Sequence, residues 1–173
     1  MTEAFLVSEP RATALRAINY RPEVEAFRTR RAGRSKKLGD MAPEIGASYW
    51  QVFTRLDCDR SDGVELLSQT DMFAAEPDGR IIRRESMPRP EIHRVRRWQI
   101  LIAGAGQMHE STLFGRSIIA DGRLVDRYLG PHAVALRFED ESGAENLWTY
   151  AFLNTKAGLA AIKSCAFGTS VPG

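Results

Sequence analysis

Cysteine is nearly absent from this chain. Cys58 and Cys165 stand alone, with no Cys-x-x-Cys pair and no histidine at ligand spacing. That pattern excludes a disulfide scaffold, suggests no structural metal, and reads as two reduced, unpaired thiols. Long apolar runs are missing too. None approaches the roughly 20 residues needed to span a bilayer, and the opening MTEAFLVSEP has neither a basic start nor a long apolar segment, so a cytoplasmic protein is expected. Lysine is scarce. Of the 24 basic residues only four are lysine, and the rest are arginine, whose planar fork suits phosphate and the guanine edge better than an ammonium point charge does.

What is present is ordinary in amount and uneven in placement. The 173 residues are enough for one domain with a proper core, and the net charge is only +2. The signs, however, segregate. Between Arg11 and Lys37 nine basic residues face two acidic ones, Glu23 and Glu25, and between Gly79 and Arg137 eleven arginines face five acids. Acidic residues collect elsewhere, notably in RFEDESGAEN. Segregation of this kind points to a polyanionic partner.

Local patterns divide the chain into a lead-in at 1–37 and a main domain at 38–173. Ser8 and Pro10 suit a helix start before RATALRAINY, where Ala14, Leu15 and Ile18 share a side. EVEAFRTRR reads as a second helix that runs out into the basic AGRSKK. Strands are predicted at 49–55, 64–67, 80–84, 99–103, 112–120, 124–128 and 133–138, separated by the turn chemistry of DRSDG, EPDG, GAG, ADG and LGPH. Two helical stretches follow, AENLWTYAFLNT with Leu147, Tyr150, Ala151 and Asn154 on one face, and KAGLAAIKSCA. The order predicts a β-rich α+β fold, a curved and mostly antiparallel sheet with an N-terminal helix and C-terminal helices, rather than an alternating βαβ chain. Trp50, Trp98 and Trp148 each lie in an apolar run and are expected in the core.

ILIAGAGQMHESTLFGRS, residues 100–117, raises the question of a nucleotide site. A dinucleotide fingerprint requires a third glycine where His109 stands, and a helix after it. The β-branched STLFGRSIIA reads as strand instead, and no Lys-Ser or Lys-Thr pair follows. The segment is therefore strand, glycine turn, strand, and no cofactor is expected.

The series NYRPEVEAF, KLGDMAPEI, GVELLSQTDMF, VRRWQILIAGAGQMHESTLFGRSIIADGRLVDRYLGPHAVALRF and LWTYAFLNTKAGLAAIKSCAFGTSVPG resembles a target recognition domain of a type I restriction-modification specificity (S) subunit, from about Ile18 to Gly173. The resemblance implies sequence-specific recognition of double-stranded DNA without catalysis. Separate modification (methyltransferase) subunits would methylate adenine, and a restriction subunit would cut. No NPPY-like tetrapeptide for a flipped adenine and no methyl-donor fingerprint occurs. A whole S subunit holds two such domains joined by long helices, whereas this chain stops at GTSVPG and has no sustained heptad. It reads as half a subunit, truncated before the spacer helix. His109 and Asp126 stand where small residues, typically glycine, are expected.

Phosphate contacts fix a reader's pose and a few side chains read base edges. Around the glycine turn the candidates are Gln107, His109, Ser111 and Thr112, with Arg116, Arg123 and Arg127 following in one hairpin. Arg123 and Arg127 would share a strand face and meet neighbouring phosphates; the alternative is a solvated strand face. Gln69 and Thr70 belong to a polar loop where the resemblance puts recognition loops. Arg83, Arg84, Arg96 and Arg97 come from RIIRRESMPRPEIHRVRR as phosphate partners, and Thr169 from the Gly-Thr turn. His93 and His132 receive no catalytic role. Two further readings stand beside this one: a protein-interaction or decoy module that binds a methyltransferase subunit, and a small-molecule enzyme using the 104–107 turn.

Overall fold

The computed structural model describes residues 22–31, 38–42, 44–46, 53–106, 112–138 and 143–164. Two sheets stack through a shared core. Strands β1 (Glu44–Gly46), β4 (Ile100–Ala103), β5 (Ser117–Ile119) and β7 (Ala133–Arg137) form one antiparallel sheet in the order β1-β7-β4-β5. Strands β2 (Val64–Leu67), β3 (Arg80–Ile82) and β6 (Tyr128–Leu129) form the other, β3-β2-β6, in which β2 and β6 run parallel. The expected single curved sheet is thus two packed sheets, mostly antiparallel. The α+β class and the C-terminal helices match expectation.

Side-chain alternation explains the layering. Leu67 and Leu129 from one sheet and Leu101, Ala133 and Ala135 from the other meet in the inter-sheet core with Met72, Val95 and Leu124. The opposite faces are covered as well. Ile100, Ile102 and Leu136 pack with Phe138 and Leu153 beneath the helices, while Leu66, Ile82 and Tyr128 pack with Met87 on the far side. Strand β4 is fully buried on both faces, which is why ILIA reads as an unbroken apolar run. Each such buried aliphatic side chain contributes about 1.5–3 kcal/mol to folding.

Helices α1 (Pro22–Arg31), α4 (Ala144–Leu153) and α5 (Lys156–Ser164) form the outer layer, with α5 packed against both α1 and α4. Short helices α2 (Leu38–Met41) and α3 (Pro90–His93) complete the set. The helix expected at RATALRAINY lies outside the described residues, as does Trp50. Helix α4 is rotated from its predicted face: it buries Asn146, Thr149 and Leu153, packs a half-buried Tyr150 on the core, and leaves Leu147 and Trp148 exposed. Its end is pinned where Asn154 Nδ2 donates to Ser117 Oγ at 2.9 Å.

Several strand expectations need correction. Residues 112–116 are not strand, and β5 is confined to three residues because Gly115 takes a left-handed φ of 80° and turns the chain under α5. Residues 122–126 form consecutive turns rather than the strand expected at 124–128, since Asp121 accepts the Leu124 and Val125 amides at its carbonyl, and only Tyr128 and Leu129 pair. Within 49–55, the described residues 53–55 carry no strand, and a single bridge joins Asp57 to Ile82. Strand β1 was not anticipated; LGDMAPEIG carries no alternation to announce it. Two tryptophans expected in the core are at the surface: Trp98 lies in a tight turn with φ 67°, beneath the Arg97 guanidinium, and Trp148 lies on the outer side of α4.

Candidate functional site

Because β2 and β6 are parallel, the loops that leave them emerge at the same end. Gly130 passes close over the carbonyl of Leu67 and donates its amide to it at 2.8 Å. A Cβ at Gly130 would lie 2.9 Å from that oxygen, so the position requires glycine for closeness rather than for φ. The loop after β2 is closed by a reciprocal pair. Ser68 N donates to Asp71 Oδ2 at 2.8 Å and Asp71 N donates to Ser68 Oγ at 3.2 Å, which starts the 3-10 turn Asp71–Phe73 and drops Met72 into the core.

The glycine turn after β4 joins the same end. Gly104 N donates to His132 O at 2.7 Å. Gln69 Nε2 donates to Ala105 O at 2.9 Å, while its Oε1 accepts from Ala105 N at 3.4 Å. One amide side chain therefore braces residues 68–73 against residues 104–106, and Gly106 takes φ 137° just beyond the brace. Strands β4 and β5 pair antiparallel on either side of this connection, so the arrangement is a hairpin and not the strand-to-helix turn that cradles a pyrophosphate.

Between these loops lies a cleft of about 330 Å³, floored by Leu66 and Leu67 and walled by Arg55, Arg80, Gln69, Asp71, Pro131 and His132. Arg80 donates from Nε and Nη2 to Asp57 at 2.5 and 2.6 Å, and this contact holds the Asp57 carboxyl below its usual pKa. Arg55 is exposed and makes no hydrogen bond or ion pair among the described residues. Sequence reasoning missed Arg55, which sat at the end of a predicted strand and carried no further signal.

The arginines picked out from the sequence separate into two groups. Arg123 and Arg127 do not alternate along a strand. Arg123 donates to Asp121 and to the carbonyls of Ala74 and Ala75 at 2.8 and 3.1 Å. Arg127 donates to Glu65 at 3.0 Å and to Pro77 O at 2.7 Å. Both guanidiniums tie loops together. Arg83, Arg84 and Arg116 are exposed, with no side-chain hydrogen bond or ion pair among the described residues. Arg116 is adjacent to the glycine turn, its carbonyl accepting from Ala103 N at 2.9 Å, and Arg83 follows β3, its amide donating to Leu56 O. Arg96 and Arg97 are exposed in the turn before β4, where Arg97 lies 5.1 Å over the Trp98 ring. Thr70 is exposed beside Gln69, and Thr112 is half-buried. Gln107, His109, Ser111 and Thr169 lie outside the described residues.

Asp126 takes φ 69°, the left-handed region that glycine enters freely and aspartate tolerates. Its carboxylate accepts from Arg94 at 2.8 and 3.1 Å. Among the described residues, arginines 60, 80, 89, 94, 123 and 127 face carboxylates within 4 Å, so much of the segregation seen along the chain is cancelled in space. Cys58 has its thiol pKa pushed up, chiefly by burial, which argues against a nucleophile there. His93 is fully buried with Nδ1 3.1 Å from Leu129 O, and no group of three or more possible metal ligands occurs among the described residues.

No family profile and no curated protein matches the sequence. Among solved structures, the chain is similar to the crystal structure of a type I restriction-modification system S subunit from M. genitalium, with 14% identity and a TM-score of 0.39, over 79% of this chain. The similarity covers 29% of that chain, so this chain spans under a third of its length.

Proposed function

We propose that this chain recognises double-stranded DNA sequence without catalysing a reaction, as one target recognition domain of a type I specificity subunit. In that role it would direct the methyltransferase and restriction subunits that its sequence resemblance implies. The observation that carries this reading is the braced loop end. Gln69 locks the loop after β2 to the glycine turn, backbone bonds hold the loop after β6 beside them, and Arg55 and Arg116 stand near with no partner among the described residues. Rigid loops with unspent guanidinium donors suit a nucleic-acid groove, because the pose is fixed before binding and the charges find their counterions on the ligand. Arg83, Arg84, Arg96 and Arg97 extend the basic surface as phosphate contacts. Thr70 and Thr112, with Gln107, His109 and Ser111 from the same connection, supply base-edge donors and acceptors. Thr169 supplies a hydroxyl to a phosphate. Arg123 and Arg127 act on this reading through the loops they tie down.

The test is fluorescence anisotropy of mixed-sequence duplex titrated with the protein at about 50 and 200 mM salt, followed by selection from random duplexes. Binding that weakens steeply with salt and an enriched motif are expected. No binding at the lower salt would overturn the reading.

A second reading has its own observation. Leu147 and Trp148 are 46% and 64% exposed on α4, with Phe152 stacked on Trp148 at 6.0 Å. Exposed tryptophan and leucine on one helix suit a protein contact, here with the methyltransferase subunit. Co-purification with such a subunit that survives charge reversal at Arg83, Arg84 and Arg116, and fails in Trp148→Glu, would favour it.

A further inference from the structure

The polar walls of the cleft at the carboxyl ends of β2 and β6 are almost entirely spoken for. Arg80 is held by Asp57, Gln69 by the backbone of Ala105, and Asp71 by the Ser68 amide; the His132 carbonyl takes Gly104 N–H. Arg55 is different. It borders the same cleft, is exposed, and has no counterion among the described residues. Both oxygens of Asp57 are taken by the Arg80 guanidinium, and Asp71 accepts the Ser68 amide rather than Arg55. Arg55 therefore offers the cleft a guanidinium whose donors are open to an anionic ligand.

The shape narrows the anion. At about 330 Å³ the cleft is far larger than a single carboxylate requires, and its floor is apolar, formed by Leu66 and Leu67, with Pro131 on a wall. A phosphodiester with its sugar has the matching character, an anionic head for a guanidinium and an apolar ring edge for the floor. A base edge fits less well, since Gln69, the residue whose amide would read it, spends both its groups on Ala105.

We propose that the cleft seats one phosphodiester of the DNA backbone, with Arg55 as its cation and the Arg80–Asp57 pair fixing the wall behind it. The proposal rests on the DNA-reading function above and adds a positioning contact that the sequence did not reveal. Such a contact fixes register on the duplex and carries no base preference.

The experiment compares the unchanged protein, Arg55→Ala and Arg55→Lys, all in the full chain, with thermal unfolding as the folding control. Each is titrated with its selected duplex and a scrambled duplex over a salt series. Arg55→Ala is expected to weaken both duplexes by the same factor, roughly tenfold at low salt, and to flatten the log–log salt slope by about one, while Arg55→Lys keeps the slope. A variant that changes preference at one base position with the slope intact would overturn the proposal in favour of base reading, and an unchanged affinity would overturn it outright. A parallel arm titrates inorganic phosphate and a deoxynucleoside monophosphate by thermal shift. Stabilisation of the unchanged protein that Arg55→Ala abolishes, in a protein that ignores duplex, would assign the cleft to a free phosphate ester and sink the DNA version. If the unchanged protein binds no duplex at all, the DNA reading itself fails and this proposal fails with it; if it binds and selects normally but Arg55 is silent, only the cleft assignment falls.

Discussion

A single buried side chain shows how position overrides type. His93, given no catalytic role from the sequence, is fully enclosed, with Phe53 edge-on at 5.9 Å and its Nδ1–H donated to Leu129 O. Burial holds its pKa below the usual histidine value, and the carbonyls of Leu129 and Pro88 offset only part of that. The unfolded chain therefore takes up a proton at a higher pH than the folded one does. Stability owed to neutral His93 is complete above about pH 6.5 and drains away as pH falls below it. Urea midpoints taken from pH 7.5 to 5 should decline, and the ring-proton NMR titration of His93 should give a midpoint under 6.5. A midpoint at or above that value would contradict the buried, neutral ring. The same logic of position applies to Asp126, which stands where a small residue was expected: Arg94 neutralises its carboxylate locally, so its cost to polyanion binding is reduced.

At the level of elements, the loop end depends on Gln69. Replacing it with leucine removes both hydrogen bonds to Ala105 and leaves that buried backbone amide and carbonyl unsatisfied, a loss of about 1–3 kcal/mol. Urea unfolding should register the loss, and amide exchange should quicken at residues 104–106 before it does in β2; exchange that stays uniform would show that the brace is unimportant. What could be read in the sequence at this scale follows from burial. Strands β2, β4 and β7 were found nearly to the residue, since each is a short apolar run bounded by turn residues. Helices α4 and α5 were placed, yet the buried face of α4 was not, because its inward side carries Asn146 and Thr149 while Leu147 and Trp148 point out. Periodicity locates a helix and assumes that the greasy side goes in; here that assumption fails. The 121–127 segment failed for another reason. RLVDRY alternates like a strand, but the Asp121 carbonyl captures two amides and Asp126 turns left-handed, both local hydrogen-bond and φ events that hydrophobic pattern does not encode. The site was legible as a glycine turn and a polar loop, whereas the brace between them joins residues 36 apart in sequence and Arg55 enters from a third segment.

Across the whole molecule, arginine content overstates the charge available to a ligand. Six described arginines face carboxylates, several of them in exposed pairs that contribute little to stability and are screened by salt. Arg55, Arg83, Arg84 and Arg116 are not spent in this way. The two populations predict different responses to one variable. Folding stability should change little between 50 and 500 mM salt, because the exposed pairs were worth little to begin with. Those four guanidiniums should contribute about −3.6 to the log–log salt slope of duplex affinity, roughly a hundredfold between 50 and 200 mM, beside the share of Arg96 and Arg97. Replacing all four by glutamine should remove that share of the slope, leaving what Arg96 and Arg97 contribute, while leaving the urea midpoint in place. A slope near −10 in the unchanged protein would mean that the paired arginines abandon their carboxylates on binding. In that case the ion pairs at Asp121, Asp126 and Glu65 would be stores of charge released to DNA rather than fixtures of the fold, and glutamine at Arg94, Arg123 and Arg127 would be the substitutions that reduce the slope.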